Sequence, residues 1–367
     1  EMRHQSYYYY CRLESDFLLA LSYGAYWRRK FSLPQAPEYV SVNPPCCWGD
    51  DYHGASLVRT GNTVRSWVWL GGQGPGGLCV PAGRSDMAEW QESLKGKLCG
   101  INIKTIRKNS FRKESSVGFL NYGCGDSIET YPLGEGEDQY VIAKHQIAVA
   151  ALPDGKTLLQ MEFAEIVKEC SLHSVCALNL NIPNDLYNAS ARIYTGHAYC
   201  EKLSADPGIE SVIDTASNRL NIDDVISVFS LYGDTLKIHR FPRRNIMNNH
   251  PVQPHICSLY ADEICTSLEN EPKRYPVGAI VIDSGAAVAA DVSASATLSA
   301  SGGKKLETEG RLRAVSFQGF DDVDYVFAAN FNNFPMEHWT DFQTDALTGE
   351  HYDFIRLKPG EAILLKK

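Results

Sequence analysis

The sequence predicts an all-β protein: a large antiparallel β-supersandwich over residues 1–272, followed by a small β-sandwich over 273–367. Three observations predict it. Runs rich in Val, Ile, Thr and aromatic residues recur along the chain, broken by Gly, Pro, Asn and Asp at intervals of roughly ten to fifteen residues. The turn LPDGKT, residues 152–157, sets Asp-Gly between two apolar runs, which is a hairpin signature. Helical segments at βαβ spacing do not occur, so a parallel sheet is not expected.

The elements follow in order. HQSYYYYCRLES opens the chain as a polar, aromatic strand, with Tyr7 and Tyr9 on one face, Tyr8 and Tyr10 on the other, and His4 and Arg12 flanking. SDFLLALSYGAYW has helical apolar spacing but also fits two short strands. NPPCCWGDDYHGAS, residues 43–56, is a loop, and TVRSWVWLGG a strand. SDMAEWQESLKG, residues 85–96, starts at a Ser cap, carries early acids and ends at Gly, so it is the helix candidate. Strands then dominate, among them QYVIAKHQIAVAAL, KTLLQMEFAEIV, SVCALNLNIP, ARIYTGHAYC, VISVFSLYG and TLKIHRF. The texture changes near PKRYPVG, residues 272–278, after which short alternating strands run to the end.

Composition bounds the function. A hydrophobic content of 44% and a net charge of −9 describe a globular chain without the basic face of a nucleic-acid binder. No apolar run approaches the ~20 residues that span a bilayer, and Glu1-Met2-Arg3-His4 does not open a signal peptide. The eleven cysteines are irregularly spaced with no C-x-x-C pair, so they are expected to be free thiols in a reducing, cytoplasmic setting. No G-x-S-x-G, H-E-x-x-H or P-loop is present, and no cofactor is expected.

Residues 43–56 carry the densest chemistry. Trp48, Asp50, Asp51, Tyr52 and His53 set a stacking surface, two carboxylates, a phenol and an imidazole close together, which is the mixture a sugar site needs. A plain turn held by Asp–backbone bonds is the competing account. A metal site is disfavoured, because nothing supplies a third protein ligand. Arg84, Glu89 and Trp90 form a second candidate in RSDMAEW, where a surface helix explains most of the pattern. Arg243, after the Pro turn of FPRRN, suits an anionic group or plain surface. His145 in VIAKHQIAV reads as structural.

The early aromatic segment, WGDDYHGAS, VWLGGQGPGG, the hairpin at LPDGKT and LNIPNDLYN together resemble the β-supersandwich of heparinase- and chondroitinase-type polysaccharide lyases. The tail, with DALTGE at 345–350 and LKPGE at 357–361, resembles the small β-domain that closes many glycoside hydrolases. The resemblance implies an enzyme acting on an oligo- or polysaccharide, most simply lyase-like cleavage of an acidic glycan. Tyr52 or His53 would then be the base, with Arg12 or Arg84 neutralising the uronate. Trp48, Tyr8, Tyr10, Trp90 and Arg243 would hold substrate. In the hydrolase alternative Asp51 and Glu89 are the paired carboxylates. A third alternative is a non-catalytic binding or assembly sandwich, a viral coat subunit included. The lyases carry a helical toroid that this sequence lacks, so an N-terminal catalytic region or a homo-oligomer is the further partner expected; no nucleic acid or membrane partner is.

Overall fold

The computed structural model describes residues 7–32, 46–50, 52, 54–61, 63–68, 76–84, 87, 93–94, 97–99, 103–106, 119–133, 136–168, 174–185, 191–204, 208–230, 235–240, 244–245, 250–251, 259–267, 277–283, 304–305, 312–319, 321–338, 341 and 344–367. Apart from one long helix, these residues form antiparallel sheets, and the fold is all-β and sandwich-like, as the sequence predicts.

A nine-stranded central sheet organises the molecule. Its strand order is Cys200–Leu203, Arg192–Thr195, Arg219–Ile222, Ile226–Ser230, Val277–Asp283, Thr157–Ile166, Gly136–Ala151, Phe119–Leu133, Ile103–Ile106. A five-stranded sheet lies against one face, in the order Ser211–Asp214, Leu236–Arg240, Leu259–Ser267, Ser174–Asp185, Lys97–Cys99. A second five-stranded sheet, built around Leu312–Gln318, Asp324–Asn330 and Ala362–Lys366, covers the opposite face.

The alternation of side chains explains this layering. Ile147, Val149 and Ala151 pack with Leu180, Ile182, Ile238 and Ile264 in the first interior. Ala148, Ala150 and Leu152 pack with Val315, Phe327 and Leu364 in the second. Both faces of the strand are therefore covered, which is why IAVAAL is continuously apolar rather than alternating. Each large apolar side chain so buried contributes about 1.5–3 kcal/mol. The last sheet carries a third small core, in which Ala314, Val326, Ile363 and Leu365 meet Ile355 and Leu357. Val277–Asp283 pairs with Thr157–Ile166 and Ile226–Ser230, so this segment lies in the central sheet although it follows the texture change at 272.

The opening tyrosines are helical, not extended. Helix α1 spans Tyr7–Lys30, so Tyr8 and Tyr10 do not share a strand face. The reason lies in the composition: the 24 residues hold no Val, Ile, Thr or Pro, and Leu, Ala and Arg recur through them. Arg28, Arg29 and Lys30 sit in the last turn, where cations favour the helix dipole. Ser32, at φ 48°, ends the helix in the left-handed conformation. Leu18, Leu19, Leu21, Tyr23, Tyr26, Trp27 and Phe31 are all exposed. The helix expected over 85–96 does not reach Leu94, which has φ 58° and gives its N–H to the Asn179 carbonyl at 2.7 Å. Met87 lies in a tight turn closed on Arg84 at 3.0 Å, and the remaining residues of that segment, Ser93 apart, fall outside the described ones.

Candidate functional site: the outer face of the four-stranded sheet

Residues 46–80 fold into a four-stranded antiparallel meander, Cys46–Asp50, Ala55–Thr60, Thr63–Val68 and Gly76–Val80. Its register fixes two faces. Ser56, Arg65, Trp67, Gly77 and Cys79 alternate inward and are buried. Outward, one cross-strand row holds Trp48, Leu57, Ser66 and Leu78, and the next holds Asp50, Ala55, Val68 and Gly76. A third row holds Arg59, Val64 and Val80.

Trp48 is 50% exposed at the sheet edge, and Asp50 stands two residues on along the same face. The Asp50 carboxylate accepts the Tyr52 N–H at 2.9 Å, an Asx turn that directs the chain out of the strand. Tyr52 follows with 87% of its surface open. Asp50 thus shapes the turn, with Trp48 in the strand before it and Tyr52 beyond it. Asp51 and His53 lie outside the described residues.

The inner face ties this sheet to the body. Arg65 Nη1 donates to the Leu152 and Thr157 carbonyls, each at 2.8 Å, across the hairpin that LPDGKT forms. Gly77 lets its strand pair closely with Thr63–Val68, because a Cβ there would come 2.6 Å from the Ser66 carbonyl and 3.1 Å from the Trp67 ring.

The other expected site residues fall as follows. Arg84 is half-buried, with Nη2 3.7 Å from Asp223 Oδ2 and 3.4 Å from the Met87 sulfur. Asp223 also takes Arg192 Nη1 at 2.9 Å, so Arg84 belongs to a charged cluster at the rim of the central sheet. Tyr8, Tyr10 and Arg12 lie on α1, their side chains outside the description, as are Glu89, Trp90 and Arg243 altogether. Among the described residues no group of three His, Cys, Asp or Glu is placed to hold a metal. No helix among them is long and apolar enough to cross a membrane. Of the cysteines, Cys47, Cys79, Cys200 and Cys265 are free thiols.

Two interior networks went unnoticed in the sequence because their members lie far apart along the chain. Asp262 accepts Tyr194 Oη–H at 2.8 Å and Arg240 Nε–H at 2.9 Å between the central and five-stranded sheets. Burial, with Asp262 beside it, pushes the Tyr194 phenol well up. His145 Nδ1 meets Glu162 Oε1 at 2.6 Å, both side chains 2% exposed or less. Burial pushes the Glu162 carboxyl up to about 7, against the opposing bond from His145. This imidazole–carboxylate pair is sealed from any substrate, which suits the structural role expected for His145. Arg59 also escaped notice, although strand alternation from Trp48 and Leu57 would have placed it on the outer face.

No family model and no curated protein matches the chain. Among solved structures, it is similar to the GH36 alpha-galactosidase AgaB from Geobacillus stearothermophilus, with 7% identity, TM-score 0.35, and 65% of this chain covered against 41% of that one. An alpha-galactosidase from Lactobacillus brevis gives 6% identity and TM-score 0.38 over 65% of this chain and 40% of that one. A mutant of the heparan sulfate lyase HepC from Pedobacter heparinus gives 11% identity and TM-score 0.37, over 94% of this chain and 47% of that one. The chain thus spans less than half the length of each.

Proposed function

We propose that this chain is a carbohydrate-active protein that holds an acidic polysaccharide across the outer face of the 46–80 sheet and cleaves it as a polysaccharide lyase does. The observation that supports this is the exposed Trp48 on the edge strand of this sheet, with Asp50 two residues on along the same face and Tyr52 open beyond the adjoining turn. An indole face stacks on the apolar side of a pyranose ring, while carboxylate and phenol take up its hydroxyls. Arg59 stands in the neighbouring row of the same face.

In the lyase step a base, Tyr52 or His53, removes the proton on the carbon next to the uronate carboxylate. The electron pair forms a new carbon–carbon double bond, the glycosidic oxygen departs, and that oxygen takes up a proton. One observation favours a second reading, a glycan-binding module without catalysis. Glu162, the acid whose proton affinity burial raises, faces the interior between two sheets and not the platform.

Incubation of the chain with neutral and uronate-containing polysaccharides tests both, reading the ultraviolet absorbance of unsaturated uronate together with reducing ends. Absorbance with new ends supports β-elimination. Ends without absorbance overturn it in favour of hydrolysis by Asp51 and Glu89. Silence in both channels, with Trp48-dependent retardation in a polysaccharide gel, leaves the binding module.

A further inference from the structure

We propose that Glu162 carries a proton on Oε2 in the folded protein and donates it to Oε1 of Gln160, forming a proton-held latch inside the central sheet. Gln160 and Glu162 lie on one face of Thr157–Ile166, a single residue apart. Both are 1% exposed and face the interior shared with Leu180, Ile182 and Ile264. Their neighbours on the flanking strand are Val149 and Ile147. On the other flank the paired backbone positions are Ile280 and Gly278.

The remaining hydrogen bonds orient both groups. Gln160 Nε2 donates to the Leu94 carbonyl at 2.7 Å, which settles which end of the amide is oxygen. Glu162 Oε1 is taken by His145 Nδ1 at 2.6 Å. One oxygen is left on each side chain, Gln160 Oε1 and Glu162 Oε2, and both are buried with no hydrogen-bond partner. Two acceptors do not pair, and each buried acceptor without a donor carries its full desolvation cost. A single proton on Oε2 resolves both at once, while Oε1 goes on accepting from His145. Burial independently pushes this carboxyl up to about 7.

Among the described residues, the other charged groups near this interior are paired elsewhere. On the facing sheet Asp262 is bonded by Arg240 and Tyr194. Arg192 at the rim pairs with Asp223, and Arg65 with Asp154 under the platform sheet. Among the described residues His145 is the titratable group bonded to Glu162. Loss of the proton above neutral pH returns two unmatched oxygens to the interior, so the latch weakens on the alkaline side.

Infrared spectroscopy of the folded chain at about pH 6 tests this, because a protonated carboxyl absorbs apart from carboxylates. The expected result is a buried-acid band present in the native chain and absent in Glu162→Gln. That variant should melt within a few degrees of the native protein, since its amide still donates to Gln160. Should Glu162→Gln not fold, Gln160→Met serves: the acid band then shifts to that of a carboxyl without an acceptor. A carboxylate at Glu162 at this pH overturns the proposal, including one bridged to Gln160 by a bound water or cation.

Discussion

The Arg65 guanidinium lies 3.9 Å from the Asp154 carboxylate, and the two side chains are 1% and 0% exposed. This contact joins the 46–80 sheet to the 152–157 hairpin, so the outer platform takes its orientation from a pair on its hidden face. The pairing is reinforced from both ends. Arg65 reaches the Leu152 and Thr157 carbonyls, and Asp154 Oδ1 accepts the Lys156 and Thr157 N–H groups at 3.0 and 2.9 Å. Burial lowers the proton affinity of Arg65, and Cys79 and then Asp154 oppose that.

Arg65→Met should destabilise the protein by ~3–5 kcal/mol, the range for removing one partner of a buried ion pair. Arg65→Lys should not restore it, because a point charge does not span two carbonyls and a carboxylate as a guanidinium does. Urea unfolding of the three chains measures the difference; a loss under ~1 kcal/mol would show that the platform is held by other contacts.

Trp48→Ala should weaken retardation by an acidic polysaccharide at least tenfold, equivalent to ~1.4 kcal/mol. Because half of the indole already faces solvent, the melting temperature should barely move. Gel electrophoresis in embedded polysaccharide, run beside thermal melts, separates the two effects. Unchanged retardation would remove this face as the glycan contact.

Tyr194→Phe removes one of two donors to a buried carboxylate and should cost ~1–3 kcal/mol. Arg240 still reaches the other Asp262 oxygen, so the fold should survive. Equilibrium unfolding checks the cost, and circular dichroism checks that sheet content persists.

The Glu162 carboxyl contributes a pH dependence of definite sign. Its proton affinity rises on folding, from the ordinary 4.5 to about 7. Between those values the unfolded chain has lost the proton and the folded chain keeps it, so stability falls as pH rises through the window and levels off above it. The total is ~3 kcal/mol at most. Denaturation midpoints from acidic to neutral pH should decline in the native chain, and this part of the decline should vanish in Glu162→Gln.

Much of the fold was legible because sheets write a local code. Asp154-Gly155 fixed a hairpin, and Gly155 indeed takes φ 86°. Period-two alternation exposed the strands, whereas the cover on both faces of Gly136–Ala151 came only with the packed sheets. The tyrosine segment misled because aromatic residues favour strands in general, whereas here the missing β-branched residues decided for helix. Trp48, Asp50 and Tyr52 stood out because they fall within five residues, although the loop expected over 43–56 is strand at Cys46–Asp50 and from Ala55 on.

By itself the sequence determined the class of fold, its antiparallel character and the Asp-Gly hairpin at 152–157, since each follows from neighbours along the chain. Tertiary structure alone decided that Arg65 meets Asp154, that His145 meets Glu162 and that Tyr194 and Arg240 share Asp262. Those partners are separated by 89, 17, 68 and 22 positions. A period of two tells which face of a strand a side chain takes, but not which strand lies opposite. That choice is made by burial of the whole apolar surface at once, and the charged groups pair with whatever the packing brings to them.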